Sequence, residues 1–162
     1  MSTRGAPIVG AVIGAAAFVF FAAHPGGGFM LYLIAPFLLI WFLYSGFIFW
    51  KRPERRRVHA ISTGIWMLAV AGIAVLHVWY QQQARKAAQT VVAAVIDFRQ
   101  RHGVYPPTDQ AAGITPGSTA DQWSIGYYLR NGVPEVTYSS TFQIFASYSY
   151  DFKSGTWTYY SD

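Results

Sequence analysis

Cysteine is absent from the 162-residue chain, which excludes disulfides and thiolate chemistry. Charge is scarce. Only 12% of residues are Asp, Glu, Lys or Arg, about half the usual share of a soluble domain. Residues 5–50 contain none of the four. No carboxylate falls within a long apolar run, so a proton or ion relay has no anchor, which argues against a pump or transporter. There is no His-Glu-x-x-His, no glycine-rich phosphate loop, no nucleophile elbow and no Ser-His-Asp constellation. Neither an enzyme nor a cofactor is therefore expected.

The residues that are present divide sharply. The net charge of +5 comes from Arg4 and one short loop, Lys51, Arg52, Pro53, Glu54, Arg55, Arg56 and Arg57. Residues 81–162 balance six basic side chains against six acidic ones. A basic cluster confined to one loop is not a nucleic-acid footprint, and no nucleic-acid partner is expected. Around that loop lie three apolar runs, 7–23, 29–50 and 58–80, read as transmembrane helices, with the bilayer as first partner. Gly10 and Gly14 form a GxxxG pair in the first. A signal peptide ending near Ala23 competes for that run. The second run follows almost at once, however, so a retained helix is the expectation. His24-Pro25-Gly26-Gly27-Gly28 reads as a reverse turn using positive φ. Pro36 is expected to kink the second helix.

Orientation follows from Lys51, Arg52, Arg55, Arg56 and Arg57, which the positive-inside rule holds on the cytoplasmic side. The amino terminus is then cytoplasmic, as Arg4 agrees, and residues 81–162 lie outside. The expected location is a bacterial inner membrane with a periplasmic carboxy-terminal domain.

Residues 81–102 carry an apolar stripe of Ala84, Ala88, Val91, Val92, Val95 and Phe98 at helical spacing. No glycine or proline separates them from the third run, so one helix of about 45 residues is expected, closed by Gly103 and Tyr105-Pro106-Pro107. Residues 103–123 read as a polar loop and 124–160 as a sheet. Its strands are 124–130, 133–139, 141–152 and 156–160, with Asn131-Gly132 as a tight hairpin. The fold class is a three-helix transmembrane anchor plus a small α+β domain. In that domain the long helix covers a three- or four-stranded antiparallel sheet, with Val91, Val95 and Phe98 beneath it.

The junction Phe98-Arg99-Gln100-Arg101-His102-Gly103-Val104-Tyr105-Pro106, after a half-embedded helix and before a small sheet, resembles the pilins and pseudopilins of type IV pili and type II secretion. The resemblance spans residues 58–162. It implies a pilin-like exported domain and a place in an envelope assembly. Gly28-Phe29 offers the glycine-phenylalanine step of a prepilin cleavage site, but Leu33 stands where the glutamate would be. The resemblance therefore implies a permanently anchored domain rather than a filament subunit.

His24, His59, His77 and His102 sit at depths too different to share a metal, and each is expected at an interface or surface. Asp109 and Asp121 are expected to be solvated loop carboxylates. The outer domain is rich in aromatics, half of them needed for its core. Tyr127, Tyr148, Trp157 and Tyr159 are the candidate partner-binding residues. A membrane or periplasmic protein is the expected partner. A sensor or ligand-binding module using the aromatic sheet face is the alternative.

Overall fold

A computed structural model describes residues 6–161; Arg4 lies outside them. The chain divides at Val78/Trp79 into two compact units.

The first unit holds α1 (Ala6–Ala22), α2 (Met30–Lys51) and the start of α3 (Arg56–His102). α2 and α3 are long and apolar enough to cross a membrane, whereas α1 is a shorter apolar helix. α2 runs unbroken through Pro36. The buried positions of α1 are Ala11, Ala15, Phe18 and Ala22, a single stripe at helical spacing. Phe18, Ala22 and Ile73 form a small core with Met30, Ile34 and Trp66 against it. Only one residue of the GxxxG pair makes a close approach. A Cβ on Gly14 would stand 3.0 Å from Trp66, whereas one on Gly10 would meet nothing.

The turn after α1 departs from expectation. None of Gly26, Gly27 and Gly28 has positive φ. What requires glycine is proximity, since a Cβ on Gly27 would lie 2.7 Å from the Ala22 carbonyl oxygen and 2.9 Å from that of Phe21. Those atoms are backbone and cannot swing away. Gly27→Ala should therefore cost about 1–3 kcal/mol in overpacking and measurably lower the melting midpoint of the full chain. Gly26→Ala, with open space around it, should be close to neutral.

The second unit begins within α3 and closes with the sheet. Gly103, at φ +74°, ends the helix and bonds its N–H to the Arg99 carbonyl at 2.8 Å, a left-handed helix cap. Residues 103–125 are not featureless. They include α4 (Thr119–Gln122), whose cap Ser118 accepts from the Asp121 N–H at 3.2 Å.

The sheet is an antiparallel meander in the order β1 (Gly126–Arg130), β2 (Val133–Ser139), β3 (Ala146–Asp151) and β4 (Thr156–Ser161). Asn131 and Gly132 turn β1 into β2 with φ of 52° and 77°, the paired positive values of a type I′ turn. The expected strand 141–152 is shorter than its alternation suggests. Ser139 pairs with Ser147, so residues 140–145 must serve as the connection and have no strand to pair with. They are tied down otherwise: Ser140 N–H donates to the Ala146 carbonyl, and Thr141 N–H to Gln81 Oε1 at 3.0 Å. Phe145 and Ile144 are left exposed.

The core lies between α3 and the sheet. Ala84, Ala87, Ala88, Val91, Val92 and Val95 meet Tyr127, Val136 and Tyr138, with Ala112, Ala120 and Ile125 filling in. The three alanines leave room for tyrosine rings opposite. Phe98 is not beneath the sheet; it stacks on His102 at 4.2 Å between ring centroids.

Candidate functional site

Strand parity assigns the aromatics to two faces. Tyr127 pairs with Val136, Val136 with Tyr150 and Tyr150 with Trp157. One step along, Tyr138 pairs with Tyr148 and Tyr148 with Tyr159. Tyr127, Tyr148, Trp157 and Tyr159 therefore share one face, and it is the face that meets α3. The opposite face carries hydroxyls and charges, with Tyr128 and Tyr160 as its exposed aromatics. There Ser149 Oγ donates to Glu135 Oε1 at 2.9 Å.

The helix-side face is graded. Tyr127 is 3% exposed, and its hydroxyl donates to the Pro106 carbonyl at 2.8 Å. It is a core side chain, so it takes no part in a free surface. Burial, reinforced by neighbouring Tyr105 and Asp109, raises its pKa above 10.0. Burial raises Tyr138 likewise, against a smaller opposing pull from Arg85. Both phenols are held neutral in the folded state. The stability they contribute is complete below pH 10 and is lost as pH rises above it.

Further from α3 the face opens. Tyr148 and Trp157 are half-buried, and Tyr159 is 43% exposed. The rings form a ladder: Tyr138 to Tyr148 at 4.9 Å, Tyr148 to Tyr159 at 5.1 Å, Tyr150 to Trp157 at 5.1 Å and Tyr150 to Phe152 at 4.9 Å. The Tyr159 hydroxyl donates to Gln143 Oε1. Rings locked by one another lose little rotamer freedom on binding, which suits a contact surface.

The ladder leads into a cleft of about 340 Å³ at the end of α3, lined by Ile96, Arg99, Gly103, Tyr105, Tyr150 and Phe152. Arg99 Nη1 donates to the Tyr105 hydroxyl at 2.6 Å, and its guanidinium carbon stands 4.5 Å from that ring's centre. Sequence reasoning did not single out Arg99, Tyr150 or Phe152. The alternation of 148, 150 and 152 signals a shared face, but only the register shows which end of it the helix leaves uncovered.

The remaining candidates are scattered. Lys51, Arg52, Arg55, Arg56 and Arg57 are all exposed in and beside the α2–α3 connection. Arg56 Nε donates to the Phe49 carbonyl at 2.7 Å. His24 and His102 are exposed, as expected. His77 is fully buried, with Nε2 2.8 Å from the Ala22 carbonyl oxygen, and His59 is half-buried. These two correct the expectation of surface histidines, because a helix crossing its neighbours buries one flank whatever residue stands there. Among the described residues no group of three His, Asp or Glu is gathered for a metal. Asp121 instead accepts from the Gly117 N–H at 2.9 Å. Asp151 holds the β3–β4 turn by accepting from the Lys153 N–H and Ser154 Oγ, bonds that lower its pKa.

No family model, curated protein or solved structure matches this chain.

Proposed function

We propose that the chain is a non-enzymatic integral membrane protein whose three-span anchor carries a pilin-like extracytoplasmic domain, and that this domain docks a membrane or periplasmic protein partner. Its place is the bacterial inner membrane, with the amino terminus in the cytoplasm. A subunit or accessory of a secretion- or pilus-type envelope assembly is the specific form that the helix–Gly–x–Tyr–Pro junction favours.

One observation carries the membrane part. The first unit is patterned inside out. Most of its buried positions are small or polar, with Ala11, Ala15, Ala22, Ser45, Ser62 and His77 among them, and Phe18, Ile48 and Ile73 are the large ones. Its large apolar side chains face outward, Phe20 at 78% and Leu68 at 76% exposure among many. Water would penalise that arrangement, whereas lipid solvates the outer side chains and small residues let helices approach. The partner part rests on the open end of the aromatic ladder, where rigid rings with hydroxyl tips resemble the anchors of protein interfaces.

Site-specific photocrosslinking tests the docking face. A crosslinker at Tyr159 should yield a discrete adduct with one membrane or periplasmic protein, recovered in stoichiometric amount. A crosslinker at Tyr160, next in sequence but on the other sheet face, should not. Trp157→Ala should weaken the adduct at Tyr159 by about tenfold or more, the scale of an aromatic anchor. Equal crosslinking from both positions would remove the face assignment. The cleft beside Arg99 favours a second reading, a ligand-binding module. That reading expects a small ligand to raise the melting midpoint of the wild-type chain and not of Arg99→Ala.

A further inference from the structure

The cleft at the end of α3 has one ionised group in its wall, Arg99. The rest of the lining is apolar or neutral, chiefly the rings of Tyr105, Tyr150 and Phe152 and the side chain of Ile96. The rings brace one another, Tyr105 to Phe152 at 6.0 Å and Tyr150 to Phe152 edge-on at 4.9 Å. All three are half-buried, and Ile96 keeps 39% of its surface exposed. Apolar surface left uncovered in a concave site suits the apolar body of a ligand. Arg99 is positioned yet uncommitted. Nη1 donates to the Tyr105 hydroxyl at 2.6 Å, and the guanidinium stands over that ring. That bond uses one of its five N–H groups. Among the described residues Arg99 has no ion-pair partner. The nearest acid in sequence, Asp97, pairs with Arg101. Asp151 is engaged by the Lys153 N–H and Ser154 Oγ.

The chemistry of this wall selects the ligand. A lone guanidinium repels a cation. It balances a monoanion, whereas a phosphate ester carries about 1.5–2 negative charges and calls for more than one cation. A planar fork with free N–H groups matches a carboxylate, which it holds through two parallel bonds. The last-turn carbonyls of α3 oppose an anion, but with about half a charge against the full one on Arg99. The cleft volume of about 340 Å³ is near the lower end of the roughly 300–1,000 Å³ of small-molecule sites. That space suits one ring with its acid group rather than a longer ligand.

We propose that this cleft binds a monocarboxylate carried on an aromatic ring, with Arg99 holding the carboxylate and Tyr105, Tyr150 and Phe152 holding the ring. The proposal rests on the ligand-binding reading of the cleft and names its ligand class. Two sources supply that chemistry, a free aryl acid or the carboxyl end of a chain that finishes in an aromatic residue. The test uses the full-length protein in lipid nanodiscs, with the Gly103 amide, which lines the cleft, followed by NMR. N-acetyl-phenylalanine should shift that signal saturably. Its carboxamide should bind about tenfold or more weakly, the scale of a lost charge-assisted contact. Arg99→Ala should bind the acid no better than the amide, and Arg99→Lys, which keeps the charge but not the fork, should fall between. N-acetyl-dialanyl-phenylalanine separates the sources: tighter binding than the single residue supports a chain end, and equal or weaker binding supports a free aryl acid. Acid and amide binding equally well overturns the carboxylate class and leaves a ligand-binding cleft. If neither binds, the proposal is overturned; the ligand-binding reading falls with it only when neutral sugars and cationic amines also leave the melting midpoint unmoved. The comparison of acid with amide is made on the unsubstituted chain, so it decides even where Arg99→Ala fails to fold.

Discussion

Val95→Asp should unfold the carboxy-terminal unit while leaving the first unit in place. Val95 is fully buried at the centre of the cluster where α3 meets Val136 and the tyrosines. The substitution removes an apolar side chain worth about 1.5–3 kcal/mol of burial. It also introduces a carboxyl with no partner, which costs a further 1–3 kcal/mol or so even when protonated. A unit of this size has roughly 4–12 kcal/mol of stability in total, and a loss near 4 kcal/mol lowers its midpoint by about 15–30 °C. The measurement is hydrogen exchange of β2 and β3 amides in the full chain. Protection in both strands should collapse together, because β2 and β3 are the two central strands of one meander. Gln89→Glu, on the exposed side of α3, should leave it unchanged within about 0.5 kcal/mol. Preserved protection in Val95→Asp would mean that the sheet does not depend on the helix.

That dependence was largely legible in the sequence. The stripe from Ala84 to Val95 has helical spacing, and a sheet with one apolar face and one hydroxyl-rich face needs a cover. The cap at Gly103 and the hairpin at Asn131-Gly132 were legible for the same reason: each demands a backbone conformation that few residues adopt. Three features were not. Residues 141–145 alternate like a strand, but pairing requires two partners, and the chain must spend those residues on reaching β3. The aromatic face was identifiable by parity, yet parity does not say how far α3 extends over it. Tyr127 and Tyr159 therefore carry the same pattern and end at opposite extremes of burial. Finally, Ser45, Ser62 and His77 carry no signal within an apolar run. Their burial depends on how three helices rotate against one another, which one-dimensional spacing in a uniformly apolar helix does not encode.

Replacing Arg55, Arg56 and Arg57 together with glutamine should turn a single orientation into a mixture. The connection between α2 and α3 then retains Lys51 and Arg52 against Glu54, a net of one positive charge where there were four. The loop is short, all of its side chains are exposed, and the other basic residues within ten positions of the apolar segments are Arg4, Arg85 and Lys86. These are the conditions under which the lysine and arginine bias dominates topology. The readout is labelling by a membrane-impermeant thiol reagent in cells with a permeabilised outer membrane, on a chain that has no cysteine of its own. Single cysteines at Ser118 or Ser154 should label nearly completely in the parent. In the triple variant each should fall to a partial and equal extent, roughly half if the remaining bias is small. Equal loss at both sites matters, because the two lie in one folded unit and must cross or stay together. Full labelling in the triple variant would show that the apolar segments orient without the loop. An unlabelled parent would place the aromatic ladder and its partner on the cytoplasmic side. A Lys51→Gln/Arg52→Gln pair leaves three arginines against Glu54, and should shift the labelling less than the triple replacement does.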